Sequence, residues 1–233
     1  MKFGATLRRL HRSFQNSAGT IVFGMEDGTV SIFGLVFGVA ATTSSSVAVL
    51  VAGTSGAAAA AVSMMAGAYL DAETSLDERR TGVQRLEADL AKSHAEMAAT
   101  LTTRLLEAGL PSPESAALVS AVKPDPLALK GLLIALQADP EPQSPRTQAL
   151  WMLFADFFSA AVPIVPFMLL PVAQGRIVSG AITLALLAAL GVGRGRIGKR
   201  DVSRTVVETV AMGVAAALAG VALGLVIDRA FGG

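Results

Sequence analysis

Five stretches of this chain run almost free of charge for the length of a membrane crossing, and one long stretch between the second and third does not. The apolar runs are Ile21 to about Thr42, about Ser46–Leu70, about Thr147–Leu170, Arg176–Gly193 and Thr205–Ile227. A helix needs about 20 mostly apolar residues to cross a hydrocarbon core of roughly 30 Å, so each run predicts a transmembrane helix. The stretch from Asp71 to Arg146 is too polar to cross. The expected fold is an all-α membrane protein with five transmembrane helices and a cytoplasmic helical insert between spans two and three. The expected division is residues 1–17 as an amphipathic cytoplasmic segment, 18–70 as spans one and two, 71–146 as the insert and 147–228 as spans three to five.

Within the insert, no breaker separates Tyr69 from Thr81, so span two should run on as a helix until Gly109 and Pro111 end it. Ser112-Pro113-Glu114 predicts a new helix with Ser112 as its N-cap. Pro124-Asp125-Pro126 ends that one, a third runs from about Leu127 to Ala138, and Pro140, Pro142 and Pro145 stiffen the return. In span three, Pro163 and Pro166 should open the backbone hydrogen-bond ladder in mid-membrane. Gly34-x-x-x-Gly38 in span one and Gly220-x-x-x-Gly224 in span five allow close backbone approach, within one chain or between copies.

Charge sets the orientation. The first 17 residues, the insert and the loop Arg194–Arg204 hold 17 of the 19 Lys and Arg residues, and only Arg176 and Arg229 fall on the other side. Basic residues stay cytoplasmic, so the N-terminus and the insert should be cytoplasmic and the C-terminus external or lumenal. The first segment, with Arg8, Arg9 and Arg12, reads as a basic helix on the membrane surface. Hydrophobic residues make up 52% of the chain and charged ones 16%, and the net charge is +1, which argues against nucleic-acid binding. With no cysteine and two histidines there is little from which to build a thiol nucleophile or a catalytic dyad, so an enzyme is not expected.

The candidate chemistry lies in the charges that remain at membrane depth. A carboxylate there costs roughly 2.5–3.5 kcal/mol on insertion scales and usually persists because it meets a cation, a proton path or a partner. At about 1.5 Å per residue, Asp27 lies about 10 Å into span one, Met64 and Met65 about 8–10 Å into span two, and Asp156 about 13 Å along span three. Glu26 stands beside Asp27. Carboxylate and thioether together suit a divalent transition metal of intermediate softness. Glu208, a turn inside span five, reads as an interface anchor for Arg204. On the extended helix, Asp71, Glu78, Asp89, Glu96 and Glu107 follow one another at steps of 7, 11, 7 and 11 and form one axial stripe. Arg85 and Lys92 flank it, so it reads either as a metal-collecting face or as a solvated, salt-bridged one. His94 is a further candidate ligand.

Asp27-Gly28 with Gly34-x-x-x-Gly38, Ser63-Met64-x-x-Gly67-x-Tyr69, and Val162-Pro163-Ile-Val-Pro166-Phe167-Met168-Leu-Leu-Pro171-Val172-Ala173 resemble the vacuolar iron transporter family, over nearly the whole chain. The resemblance implies a homodimeric five-span carrier of Fe²⁺ or Mn²⁺ out of the cytoplasm, coupled to protons, with a cytoplasmic helical metal-binding domain. It makes Asp27 and Met64 ligands along the path, to which the depth of Asp156 and the adjacency of Glu26 add those two residues as candidates. Glu87, Asp89 and Glu96 fall near the acids of the family's cytoplasmic domain. Two departures accompany it. Gly56 stands where some members carry a glutamate, and Leu133, Ile134 and Gln137 stand where the domain's Met-Met pair and Glu would be, so the insert reads as a degenerate metal-binding domain. No permanently bound cofactor is expected; the metal is substrate and H⁺ the coupling ion. The expected partners are the lipid bilayer, divalent metal ions and a second copy, in the plasma membrane if the chain is bacterial. The alternative is a non-transporting membrane paralogue whose insert is an interaction module.

Overall fold

The computed structural model describes residues 13–14, 17–90, 94–137 and 144–231, without the side chains of residues 83, 85–90, 94 and 137. All the regular structure among them is helical. The expected surface helix before residue 13, the prolines Pro140 and Pro142, and the side chains of Glu87, Asp89, His94 and Gln137 lie outside the described residues. The helices are α1 (Ala18–Thr42), α2 (Ser46–Leu90), α3 (His94–Glu107), α4 (Ser112–Val122), α5 (Pro126–Gln137), α6 (Pro145–Ile164), α7 (Pro166–Leu169), α8 (Val172–Ile197) and α9 (Val202–Phe231). Five are long and apolar enough to cross a membrane: α1, α2 over Ser46–Gly82, α6, α8 and α9. The chain forms two compact units, one of Met1–Asp71 with Gln143–Gly233 and one of Ala72–Pro142.

In the first unit α1 is the hub, packed against α6, α8 and α9. Its glycines explain why. An added Cβ on Gly24 would lie 2.8 Å from the Met152 sulfur and 3.2 Å from the Ala155 Cβ, and one on Gly28 would lie 2.8 Å from the Ser159 hydroxyl. That face therefore belongs to α6. Further along, Gly34 faces the Ala216 carbonyl oxygen at 2.8 Å and Gly38 the Gly220 carbonyl oxygen at 2.7 Å. Gly220 and Gly224 return the contact against the backbones of Gly34 and Gly38. The two glycine motifs expected from sequence thus meet each other within one chain, as small residues allow in lipid, where dispersion and close backbone approach replace the hydrophobic effect. Ile32, Val36, Ala40, Val49, Ala57, Ala160, Ile164, Phe167 and Val172 fill the core around them.

Short connections set the helix ends. Thr43 leaves α1 in an extended conformation, and the Ser45 hydroxyl accepts the Ala48 N–H at 3.3 Å to start α2. Ser144 caps α6 by accepting the Thr147 N–H at 3.3 Å, with Pro145 following as the first helical residue. The third span breaks at its prolines. The helix ends at Ile164, with Pro163 in its last turn, and Pro166 begins the separate turn α7. Each proline removes one N–H donor, and two of them three residues apart leave too little ladder to continue. The Ser179 hydroxyl of α8 donates to the Pro163 carbonyl at 2.8 Å, tying the end of α6 to α8. The loop expected over Arg194–Arg204 is also shorter, because α8 continues to Ile197. Lys199 takes a left-handed φ of 50°, the Arg200 N–H closes on the Gly195 carbonyl at 2.9 Å, and Asp201 caps α9 through the Arg204 N–H at 2.8 Å. The Ser203 hydroxyl, followed by that N–H, holds the Asp201 carboxyl below the usual carboxylate range.

In the second unit, α3, α4 and α5 close over Met97, Ala98, Leu101, Leu105, Val119, Leu129 and Leu133. The single helix expected from Tyr69 to Gly109 is found as α2 up to Leu90 and α3 from His94, with residues 91–93 outside the described residues. Gly109, at φ 89°, ends α3 as expected, and the Leu110 N–H bonds the Leu105 carbonyl at 3.0 Å. Ser112 is not a cap. It is the first helical residue, preceded by an extended Pro111 that supplies no side-chain hydrogen bond. Asp125 caps α5 by accepting the Leu127 N–H at 2.9 Å, and Pro126 occupies the first position.

Candidate functional site in the membrane helices

α1 brings its two adjacent carboxylates to different neighbours, because consecutive helical residues point about 100° apart. Glu26 is only 7% exposed. Its Oε1 accepts a hydrogen bond from Arg194 Nη1 of α8 at 2.9 Å and one from the Thr209 hydroxyl of α9 at 3.2 Å. Asp27 is half-buried and lies close enough to Asp156 of α6 for their charges to interact, as Glu26 does to Asp27. Asp156 is fully buried, and neither of its carboxylate oxygens has a hydrogen-bond partner. The hydroxyl of Thr183 on α8 is a second buried polar group without one. Ser159 does not satisfy the carboxylate; its hydroxyl donates to the Asp156 backbone carbonyl at 2.9 Å.

A buried carboxylate with no partner is costly, far more so than a satisfied one. The close approach of Gly28 to the Asp156 backbone sets how near α6 comes to Asp27. The structure therefore brings Glu26, Asp27 and Asp156 into one region. Met64 and Met65 are half-buried on α2. Among the described residues, no group of three or more His, Asp or Glu side chains is arranged to hold a metal ion by itself.

Sequence reasoning missed Arg194, Thr209 and Thr183. Arg194 was assigned to a loop because hydropathy falls there, although no proline interrupts the chain before Ile197. Thr209 and Thr183 carry no signal of their own in a run of small and apolar residues. Glu208 behaves as expected, accepting from Arg204 Nε at 3.0 Å with Arg200 at 3.8 Å.

The insert's candidate acids fare differently. Glu96 is exposed in the first turn of α3, and Asp71, Glu78 and Glu107 are exposed as well. Arg104 pairs with Glu107 at 3.7 Å and Arg80 with Asp77 at 3.4 Å, both in solvent, where such pairs contribute little. Leu133 is 2% exposed and Ile134 packs against the same core, so both fill space inside the helical unit.

Comparison with known proteins bears on the whole chain. The family model of the VIT family matches residues 18–225. Vacuolar iron transporter 1 of Eucalyptus grandis is 26% identical over 217 residues, covering 90% of this chain and 87% of that protein. Vacuolar iron transporter 1 of Arabidopsis thaliana is 28% identical over 213 residues, covering 90% and 85%. The vacuolar iron transporter of Centaurea cyanus is 27% identical over 193 residues, covering 79% of each.

Proposed function

The chain belongs to the VIT family, and from that premise we propose that it carries a divalent transition metal, Fe²⁺ or Mn²⁺, out of the cytoplasm in exchange for protons. It is a transporter and not an enzyme, in keeping with the names of its relatives. The observation that carries the reading is Asp156, fully buried in a membrane-length helix, its carboxylate without a hydrogen-bond partner and beside Asp27. A divalent ion passing between α1 and α6 would answer both carboxylates, and Met64 on α2 adds a thioether at a similar depth. Protons and metal compete for the same carboxylate oxygens, so protonation from the far side releases the ion.

The distribution of basic residues supports a cytoplasmic N-terminus and insert, with the 1–17 segment on the membrane surface. The working unit is a homodimer, in which the insert, residues 71–146, keeps a helical fold with a weak metal site at most. Leu133 in its core supports that last point. The bilayer is plasma membrane in a bacterium or an organellar membrane otherwise. The test is uptake of Fe²⁺, Mn²⁺, Co²⁺ and Zn²⁺ into proteoliposomes under a pH gradient. Fe²⁺ or Mn²⁺ flux that collapses with the gradient and is lost in Asp27→Asn supports the proposal. A parent protein that moves none of the four refutes it.

A further inference from the structure

Arg194 sits three residues before the end of α8 at Ile197, where a basic side chain ordinarily extends toward water. Cα–Cβ bonds lean toward the helix N-terminus, which in α8 is the direction of the membrane-length segment, and the guanidinium goes that way to Glu26 on another helix. A guanidinium does not lose its charge, so Glu26 has a permanent counter-ion. Thr209, fully buried, donates to the same oxygen. Asp27 lies close enough for its charge to interact with both Glu26 and Asp156, and among the described residues neither Asp27 nor Asp156 is paired with a fixed cation.

We propose that Arg194 is a positioning residue of the ion path. It holds the Glu26 carboxylate turned away, so that a divalent ion meets Asp27 and Asp156 but no third carboxylate. The inference rests on the transport reading above. Three ionised carboxylates and one guanidinium leave a net charge of −2, which one divalent ion neutralises. Without Arg194 the balance is −3, and a freed Glu26 in a low-dielectric setting turns toward the nearest cation, the transported ion. An ion held by one more carboxylate enters readily and leaves slowly, whereas passage needs binding weak enough for release.

The experiment is Fe²⁺ uptake by the full chain in proteoliposomes, with rates referred to folded, reconstituted protein. A parent that moves no metal defeats the transport reading itself. With an active parent, Arg194→Gln should lower both KM and Vmax about tenfold, within the range of couplings between touching residues. Glu26→Gln combined with Arg194→Gln should recover at least half of the lost Vmax and return KM toward the parent's. Thr209→Val, which removes one donor and keeps the shape, should lower KM by about threefold. A purely structural pair would change the amount of folded protein and leave KM alone. Parent KM in Arg194→Gln, or no recovery in the double variant, overturns the proposal. If Arg194→Gln does not fold, Thr209→Val decides: a lowered KM supports it and a parent KM overturns it.

Discussion

Gly28→Ala tests whether the spacing of α1 and α6 sets the function. The new methyl carbon would sit 2.9 Å from the Asp156 carbonyl carbon and 2.8 Å from the Ser159 hydroxyl, with the Asp156 carbonyl oxygen nearer still. Ordinary contact begins at 3.4 Å, so α6 must retreat by at least 0.5 Å, the difference from 2.9 Å. The obstacle is backbone and cannot rotate away. Overpacking of this kind costs about 1–3 kcal/mol. For a chain of this size that lowers Tm by about 2–4 °C per kcal/mol. The same retreat draws Asp156 from Asp27. Gly38→Ala is the matched control: its methyl would lie 2.7 Å from the Gly220 carbonyl oxygen, so α9 must give by 0.7 Å, at a level about 15 Å along α1 from Gly28. Gly193→Ala, with nothing within 4 Å, should be neutral or stabilise by about 0.5–1 kcal/mol. Thermal unfolding in detergent and Fe²⁺ uptake then separate the effects. Gly28→Ala and Gly38→Ala should both lower Tm, and only Gly28→Ala should raise the KM for metal. Parent Tm in Gly28→Ala, or an equal rise in KM in both, refutes the reasoning.

Asp27→Ala should abolish metal uptake and Met64→Ala weaken it, with the double variant no worse than Asp27→Ala, because groups serving one ion are non-additive; Asp156→Asn should also lose flux, and parent rates there return Asp156 to packing. Leu133→Ala should destabilise the insert by about 2–5 kcal/mol, read as faster hydrogen exchange over 94–137 in the full chain, while unchanged exchange would remove Leu133 from the core. Asp201 has a folded pKa below its unfolded value of 3.8, so its stabilising effect is present above pH 3.8 and fades as pH falls through the lower folded value. Asp201→Ala should therefore lower Tm at pH 7, with the gap to the parent narrowing below pH 3.8; a gap constant down to pH 2 contradicts the cap.

The five spans were legible because length and the absence of charge leave few alternatives in a bilayer, and Gly109 and the Pro124-Asp125-Pro126 break announced themselves by chemistry that acts within four residues, although the cap that Asp125 supplies to α5 was not foreseen. What sequence did not convey depends on partners far apart. Gly34 and Gly220 each advertise a close approach, but nothing in either motif names the other as its partner. Gly24 and Gly28 form a second pair at the same spacing, hidden beside the carboxylates. Arg194 was misplaced because a charge near the end of an apolar run looks like the loop that follows. Only the contact with Glu26 reveals that the helix carries it. The continuity of the insert's acid stripe was inferred from one unbroken helix; α2 is described up to Leu90 and α3 from His94, and residues 91–93 lie outside the described residues.

The Glu26–Arg194 pair also has a history within each molecule's synthesis. The two residues are 168 positions apart, and α1 is made long before α8. At about 5–20 residues per second, Glu26 emerges on the order of 10–30 s before its counter-ion exists. For that interval the first span carries two carboxylates and no fixed cation, a poor candidate for lateral release into lipid. Its settled position is therefore a late event in biogenesis, completed when the fourth span arrives.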